Sequence, residues 1–250
     1  MRRFLQAVAS ERVKMGRLSV WLLLSVSPLL AALIGLLSNL DSPQPIDDSK
    51  WIALFGVMGT LHAVFMLPVL AGILAAWVCR YEHVGGGWKQ LLALPVKRTT
   101  VYAAKLAVIV GLLGCGQLLL LLAITLVGSL KGITDPFPWS AVLPKLAGGW
   151  LACFPIAALQ LGASLGWSSF GIPLALNVAL TVPNLLILNS AAIAPFYLWA
   201  QPFLAMAPVQ LSHDALTLPL LESMLITGIV SFVLFAGGGL TYFVRKDISG

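Results

Sequence analysis

The sequence predicts an all-α membrane protein whose helices cross the bilayer. Of its 250 residues, 59% are hydrophobic and only 10% are charged, whereas a soluble domain carries roughly 25% charged residues. The apolar residues also fall into long uncharged runs, and a helix needs about 20 of them to cross a bilayer. A water-soluble fold could not bury this much apolar surface, so we expect lipid to surround the chain.

Six apolar stretches are long enough to form transmembrane helices: residues 18–37, 51–79, 106–130, 146–166, 172–194 and 223–244. The fourth and fifth belong to one uncharged region, which we divide at Trp167 to Gly171, just before Pro173. Residues 195–219 contain Pro195, Pro202 and Pro208. Because proline interrupts a helix, we expect a broken segment there, which lies on the outer side of the membrane and is partly inserted into it.

The basic residues predict the orientation of the spans. Five Lys or Arg residues lie in residues 1–17, five in residues 80–105 and two at the C-terminal end, against three in the predicted outside loops. By the positive-inside rule, both termini are therefore cytoplasmic and six spans are favoured. This distribution explains the net charge of +6 without a nucleic-acid partner. Residues 1–17 are typical of an interfacial helix whose apolar face Glu11 interrupts, or of a simple basic anchor.

Residues 80–105 form the one long charged segment between two apolar runs. Three glycines, Gly85 to Gly87, are expected to end the preceding helix. A short amphipathic helix follows, with an apolar face of Trp88, Leu91, Leu92 and Leu94, and Pro95 stops it. The pattern predicts an apolar-faced helix on a basic loop at the edge of the membrane, a shape that fits a groove on a soluble partner.

This segment resembles the loop between the second and third spans of type-2 ABC exporter permeases, and is closest to the bacitracin-resistance and lantibiotic-immunity branch. The resemblance is carried by Glu82, Gly85 to Gly87, Trp88-Lys89-Gln90-Leu91-Leu92, Leu94-Pro95, Arg98-Thr99 and Lys105. Elsewhere the chain is similar to that family only in the number and spacing of its spans.

The resemblance implies a permease subunit in a bacterial cytoplasmic membrane. Two permease chains, identical or paralogous, would form the pathway, and two ABC ATPase subunits would dock below and bind ATP and Mg²⁺. This chain itself would bind no cofactor or metal. The substrate would be an antimicrobial peptide or another amphipathic compound. The residues that would couple to the ATPase are Glu82, Trp88, Leu91, Leu92, Leu94, Pro95 and Arg98.

Enzyme motifs are absent from the sequence. No Gly-Lys dipeptide occurs, so there is no phosphate-binding G-x-x-x-x-G-K-[ST] loop, and ATP hydrolysis is expected in a separate subunit. Polar residues in or near the spans are candidates for the transport pathway, although such residues also commonly hold helices together. These candidates are His62, Gln117, Asn177, Asn184 and Glu222.

The alternative is a stand-alone protein without an ATPase partner, either a secondary transporter or a membrane scaffold. A secondary transporter couples to ions through charges within the membrane, and the predicted spans contain almost none. Co-purification of a soluble ATPase would distinguish the two hypotheses.

Overall fold

The structure is a computed structural model, and it describes residues 2–14, 17–40, 49–84, 87–88, 90, 96–207 and 218–245. Within these ranges the regular secondary structure is entirely helical. The helices are α1 (Arg2–Lys14), α2 (Arg17–Leu37), α3 (Lys50–His83), α4 (Arg98–Leu130), α5 (Trp139–Ala152), α6 (Phe154–Gly166), α7 (Gly171–Thr181), α8 (Asn184–Ile187), α9 (Gln201–Met206) and α10 (Leu218–Arg245).

Among the described residues, five helical stretches are long and apolar enough to cross a membrane. They are Ser19–Leu37, Lys50–His83, Arg98–Leu130, Trp139–Gly166 and Met224–Arg245, and they correspond to the first four and the sixth predicted spans. The fifth predicted span, 172–194, contains only the shorter apolar stretch Gly171–Ile187. A sixth crossing and the placement of the termini therefore stay predictions.

The bundle centres on α3, α4 and α6, whose buried leucines and isoleucines fill its core. Both α1 and α2 pack on α4, while α6 and α7 pack on the second half of α3. Helix α10 lies mainly against α6. The outward faces of α2 and α10 expose many large apolar side chains, as expected for helices that face lipid.

A π-helical stretch, His62–Met66, interrupts α3 just before Pro68. Proline has no N–H, so the Val64 carbonyl loses its α-helical donor. Asn184 replaces that donor: its Nδ2 lies 2.9 Å from the Val64 oxygen and 2.9 Å from the Trp199 oxygen. Nearby, Asn177 Nδ2 donates to the Pro68 oxygen at 2.9 Å. The two asparagines therefore join α7 and α8 to the irregular part of α3.

Close approach of α7 to α3 depends on Gly72. A Cβ at this position would lie 2.8 Å from Asn177 Cγ, which is shorter than any van der Waals contact. Helices α6 and α10 meet in a similar way at Gly162 and Gly239, where an added Cβ would lie about 3.5 Å from the opposite Cα. Small residues at such a crossing allow two helices to approach closely.

The predicted break at residues 195–219 agrees with the described part of that segment. Two short 3₁₀ turns, Ala194–Phe196 and Leu198–Ala200, lead into α9. Trp199, Ala200 and Gln201 are buried, so this irregular backbone is packed within protein. Residues 208–217 lie outside the described ranges.

We predict that Gly72→Ala will destabilise the protein by about 1–3 kcal/mol, because the added methyl group overpacks a buried contact. Gly111 is a matched control, since nothing lies within 4 Å of a Cβ built on it. Gly111→Ala should leave thermal stability in detergent unchanged or raise it slightly. Gly72→Ala should cost less in an Asn177→Ala background than in the wild-type protein, and an equal cost in both backgrounds would contradict the proposed clash.

Candidate functional site

Four charged side chains form a closed ring at one end of the bundle, which we call the charge ring: Glu11, Lys14, Glu82 and Lys105. Lys14 Nζ lies 2.8 Å from Glu11 Oε1 and 2.7 Å from Glu82 Oε1. Lys105 Nζ lies 2.8 Å from Glu11 Oε2 and 2.9 Å from Glu82 Oε2. Each carboxylate therefore presents one oxygen to each lysine, and the formal charges sum to zero.

The charge ring joins three helices. Glu11 and Lys14 stand one turn apart on the same face of α1, Glu82 lies in the last turn of α3, and Lys105 lies in α4. Lys105 is fully buried, and Glu82 and Glu11 are 1% and 4% exposed. Removing one member of such a group leaves an uncompensated buried charge, which typically costs about 3–5 kcal/mol.

Lys105 has one further partner beyond the two carboxylates, a backbone carbonyl. Its ammonium group donates to the Val78 carbonyl oxygen at 2.8 Å and to Glu11 at 2.8 Å. The 2.9 Å contact with Glu82 is an ion pair without hydrogen-bond geometry. Burial lowers the pKa of Lys14, but the carboxylates of Glu11 and Glu82 more than compensate and raise the pKa above its ordinary value. Lys14 is therefore charged at neutral pH.

Trp88 connects the segment after α3 to this ring. Its indole Nε1 donates to His83 Nδ1 at 3.2 Å, and its ring centroid lies 5.6 Å from Lys105 Nζ, within cation–π range. It also contacts the ring of Phe243 on α10, with centroids 5.5 Å apart. Trp88 therefore contacts side chains of α3, α4 and α10 at once.

Arg98 ties the start of α4 to the end of α10. Its guanidinium donates to the carbonyl oxygens of Phe243 at 3.3 Å and Val244 at 2.9 Å. These oxygens lie in the last turn of α10, where helix carbonyls lack intrahelical partners and a positive charge is favourable. Arg98 thus completes a set of contacts that holds α3, α4 and α10 together around Trp88.

An open pocket of about 480 Å³ lies beside the charge ring. Glu11 and Lys14 line one wall of the pocket, Arg80 and Tyr81 line another, and Gln90 of the loop also lines it. The pocket is the place where the ring faces the surroundings, because Lys105 and Glu82 lie buried behind these side chains.

A second group of polar side chains lies deep in the bundle, at the π-helical stretch of α3. His62 Nδ1 lies 2.6 Å from Ser27 Oγ, and Gln117 Nε2 lies 3.5 Å from Met206 Sδ. His62 Nε2 and Gln117 Oε1 are buried and have no hydrogen-bond partner among the described residues. His62 and Gln117 also interact with each other through their side chains, so the two residues form one polar group in the core.

The chain matches the family model described as ABC-2 family transporter protein over residues 7–184. It belongs to the ABC-2 transporter family. No curated protein and no solved structure matches the chain. The matched region contains the charge ring, Trp88 and the polar group at His62. Family membership makes the chain a multi-pass membrane permease that works with ABC ATPase subunits.

The structure brings together only part of the site that the sequence predicts for this ABC-2 permease. Glu82, Trp88 and Arg98 lie in one connected group, whereas Leu91, Leu92, Leu94 and Pro95 fall outside the described residues. Trp88 is partly buried against the bundle, so it links the loop to the helices, and docking of this side chain on an ATPase stays a prediction.

The five pathway candidates separate into three groups. His62 and Gln117 share the polar group in the core, whereas Asn177 and Asn184 bind backbone oxygens of α3 and Trp199. The second pair therefore acts as helix glue in this structure. Glu222 is exposed near the start of α10, away from both groups.

The sequence alone did not identify three members of the charge ring: Glu11, Lys14 and Lys105. Glu11 was interpreted as an interruption of an apolar face, and Lys105 as the residue that opens the third span. The sequence does contain a partial signal for this site. Glu11 and Lys14 are spaced to lie on one helix face, and residues 80–105 contain a second acidic and basic pair, Glu82 and Lys105. Their pairing across three helices is a tertiary contact that no local pattern reveals.

We predict that Lys105→Met will destabilise the ABC-2 permease by about 3–5 kcal/mol, since Glu11 and Glu82 then share only one cation. The double variant Lys105→Met/Glu82→Gln removes one charge of each sign and should be more stable than Lys105→Met alone. Thermal unfolding of the purified variants in detergent measures the double-mutant cycle, with exposed Lys97→Gln as control. Purely additive effects would contradict the ring.

Proposed function

We propose that the chain is the membrane-spanning subunit of an ATP-driven exporter, and that the charge ring and Trp88 transmit the motion of the ATPase to the spans. The single observation that carries this proposal is the set of contacts of Trp88. This side chain of the loop between α3 and α4 touches His83, Lys105 and Phe243. A force on the loop would reach three helices of the bundle directly.

The proposed cycle uses ATP binding to bias two conformations of the permease. The ATPase subunits bind ATP and Mg²⁺ and close, and they displace the loop that contains Trp88. Because α1, α3 and α4 are joined by buried ion pairs, they move as one body. Helix α10 moves with them, since Arg98 of α4 binds its last turn. The difference in binding free energy between the two conformations drives the change.

The pocket beside the charge ring is the proposed place for a side chain of the ATPase. It opens between α1, the end of α3 and the loop residue Gln90. Both signs of charge line it, Glu11 against Lys14 and Arg80, so a polar or charged side chain of the partner can pair there. Leu91, Leu92, Leu94 and Pro95, which follow Gln90, would supply the apolar part of the docking surface.

The apolar outer faces of α2 and α10 are the proposed contact surfaces for a second permease chain, identical or paralogous, as well as for lipid. Helices α2 and α10 expose large aliphatic side chains along their length. The substrate we propose is an antimicrobial peptide or another amphipathic compound, expelled across a bacterial cytoplasmic membrane in self-immunity or resistance. This substrate class rests on the likeness of residues 80–105 to the bacitracin-resistance and lantibiotic-immunity branch.

His62 and Gln117 are the proposed polar contacts of the pathway, because they form a polar group that is buried in the core of the bundle. If they contact substrate, His62→Phe should change which compounds are expelled while the ATPase stays bound. An unchanged resistance profile would remove His62 from the pathway.

The alternative, an ion-coupled secondary transporter, is less well supported. Such transporters need a charge that an ion can reach near the middle of the membrane. The buried charges Glu82 and Lys105 instead neutralise each other at one end of the bundle.

We predict that affinity purification of the full chain from its native host will recover an ABC ATPase in stoichiometric amount. Trp88→Asp and Leu91→Asp should each abolish this association, because a buried or docked apolar side chain becomes a charge. The measurement is quantitative immunoblotting or mass spectrometry of the eluate at equal permease yield.

Trp139→Asp is the matched control, since Trp139 is 53% exposed at the opposite end of the bundle. This variant should retain the ATPase in full. ATPase binding that survives both Trp88→Asp and Leu91→Asp in folded protein would disprove the coupling role of the loop.

A further inference from the structure

A small polar pocket lies on the side of the bundle where α3, α6 and α7 meet. It has a volume of about 160 Å³. Its polar lining comes from Arg80 and His83 at the end of α3, Ser164 near the end of α6, and the turn residues Ser168 and Ser169. No carboxylate is found among the described residues that line it, so its electrostatic potential favours an anion.

The polar groups of this pocket are arranged for a ligand that accepts hydrogen bonds. The Arg80 guanidinium lies over the Phe170 ring, 5.9 Å from its centroid, and makes no ion pair with any described residue. The Ser164 side chain is 2% exposed, and its hydroxyl has no hydrogen-bond partner among the described residues. A buried hydroxyl without a partner is costly, and an anionic oxygen in the pocket would satisfy it.

His83 is not available to that ligand, because both of its ring nitrogens are engaged. Nε2 lies 2.8 Å from the Ser164 carbonyl oxygen and Nδ1 accepts from Trp88. The imidazole therefore fixes the wall of the pocket and connects it to Trp88. The hydrogen-bond donors that remain are Arg80, the serine hydroxyls and the backbone of the turn.

An apolar groove of about 520 Å³ adjoins the polar pocket, and both cavities share Trp167. The groove runs between α6 and α10 and opens sideways, towards the surface that faces lipid. Small residues of the two helices line its length, and Trp167 and Tyr242 lie at the end near the polar pocket. Tryptophan and tyrosine prefer the headgroup level of a bilayer, which places this junction at the membrane surface.

We propose that the two cavities together bind one anionic glycerophospholipid. The phosphate occupies the polar pocket, where Arg80 and Ser164 bind it, and an acyl chain lies in the groove between α6 and α10. The charge of Arg80 matches the phosphate, and the apolar groove matches the chain. This proposal does not depend on what the permease transports, because it concerns a lipid bound at the outside of the bundle.

The glycines of α10 supply a sharp test of the groove. Gly238 lines the groove, whereas its neighbour Gly237 does not, and a Cβ built on either meets nothing within 4 Å. Leucine favours a helix over glycine, so Gly238→Leu and Gly237→Leu should both fold. Gly238→Leu fills the groove, and Gly237→Leu is its matched control.

The contribution of the Arg80 charge to phosphate binding is tested by Arg80→Gln, with Lys97→Gln as control. Both residues are exposed cations, and of the two only Arg80 lines the polar pocket. The two variants lose the same formal charge, so any non-specific attraction to anionic lipid falls equally in both.

Native mass spectrometry of the full chain in detergent measures the affinity for dioleoylphosphatidylglycerol. We expect Gly238→Leu and Arg80→Gln each to weaken binding by about tenfold, and Gly237→Leu and Lys97→Gln to leave it unchanged. Dioleoylglycerol, which lacks the phosphate, should bind weakly and be insensitive to Arg80→Gln. Inorganic phosphate alone should not compete at millimolar concentration.

Equal binding of phosphatidylglycerol by all four variants would overturn the proposal and indicate non-specific annular lipid. Competition by inorganic phosphate together with full binding by Gly238→Leu would also overturn it, because the pocket would then hold a free anion without the chain. Either result would leave the transport proposal standing, since ATPase association is measured independently.

Discussion

The charge ring is the constraint on which the rest of the structure depends. Three of its four ionisable side chains, Glu11, Glu82 and Lys105, are buried, and each lies within 3 Å of an opposite charge of the ring. Lys105 in particular has no exposed surface, so its position requires Glu11 and Glu82 to be present on α1 and α3. This requirement fixes α1 against the bundle, although α1 has too few apolar residues to be held by burial alone.

Buried ion pairs seldom add much net stability, because desolvation offsets most of their attraction. In this protein they instead determine how the helices are arranged. Acidic and basic side chains alternate around the charge ring, and any other arrangement of α1, α3 and α4 would leave a buried charge without a partner. Trp88, His83 and Arg98 extend that arrangement to the loop and to α10. The end of the bundle near the loop is thus held by specific polar contacts, whereas the middle is held by aliphatic packing.

The sequence predicted the long apolar helices well, because length and uncharged composition decide membrane spans. It was less accurate where tertiary contacts decide. Helix α5 begins at Trp139 rather than at residue 146, and Lys145 within it donates to the Ala207 carbonyl oxygen. The fifth predicted span breaks near Pro183, and Asn184 binds the carbonyl that Pro68 leaves without a donor.

The candidate site was predicted in the same uneven way. Glu82, Trp88 and Arg98 were identified from a local resemblance, and the structure places them in one connected group, whereas their coupling role stays a prediction. Glu11 could not be recognised, since its significance depends on Lys105, which is 94 residues away. Trp51 likewise depends on distant residues: it is buried beside Phe137, and its indole N–H donates to the Asp135 carbonyl oxygen.

We propose that α1 and the end of α3 move as one body, because the charge ring joins them. Spin labels at Val13 and Val84, which are 78% and 67% exposed, report the distance between them by pulsed electron paramagnetic resonance. In the complex with its ATPase, we expect one narrow distance distribution, unchanged by ATP, that broadens in Lys105→Met. A distance that shifts with ATP in the otherwise wild-type protein, or that is indifferent to Lys105→Met, would contradict the account.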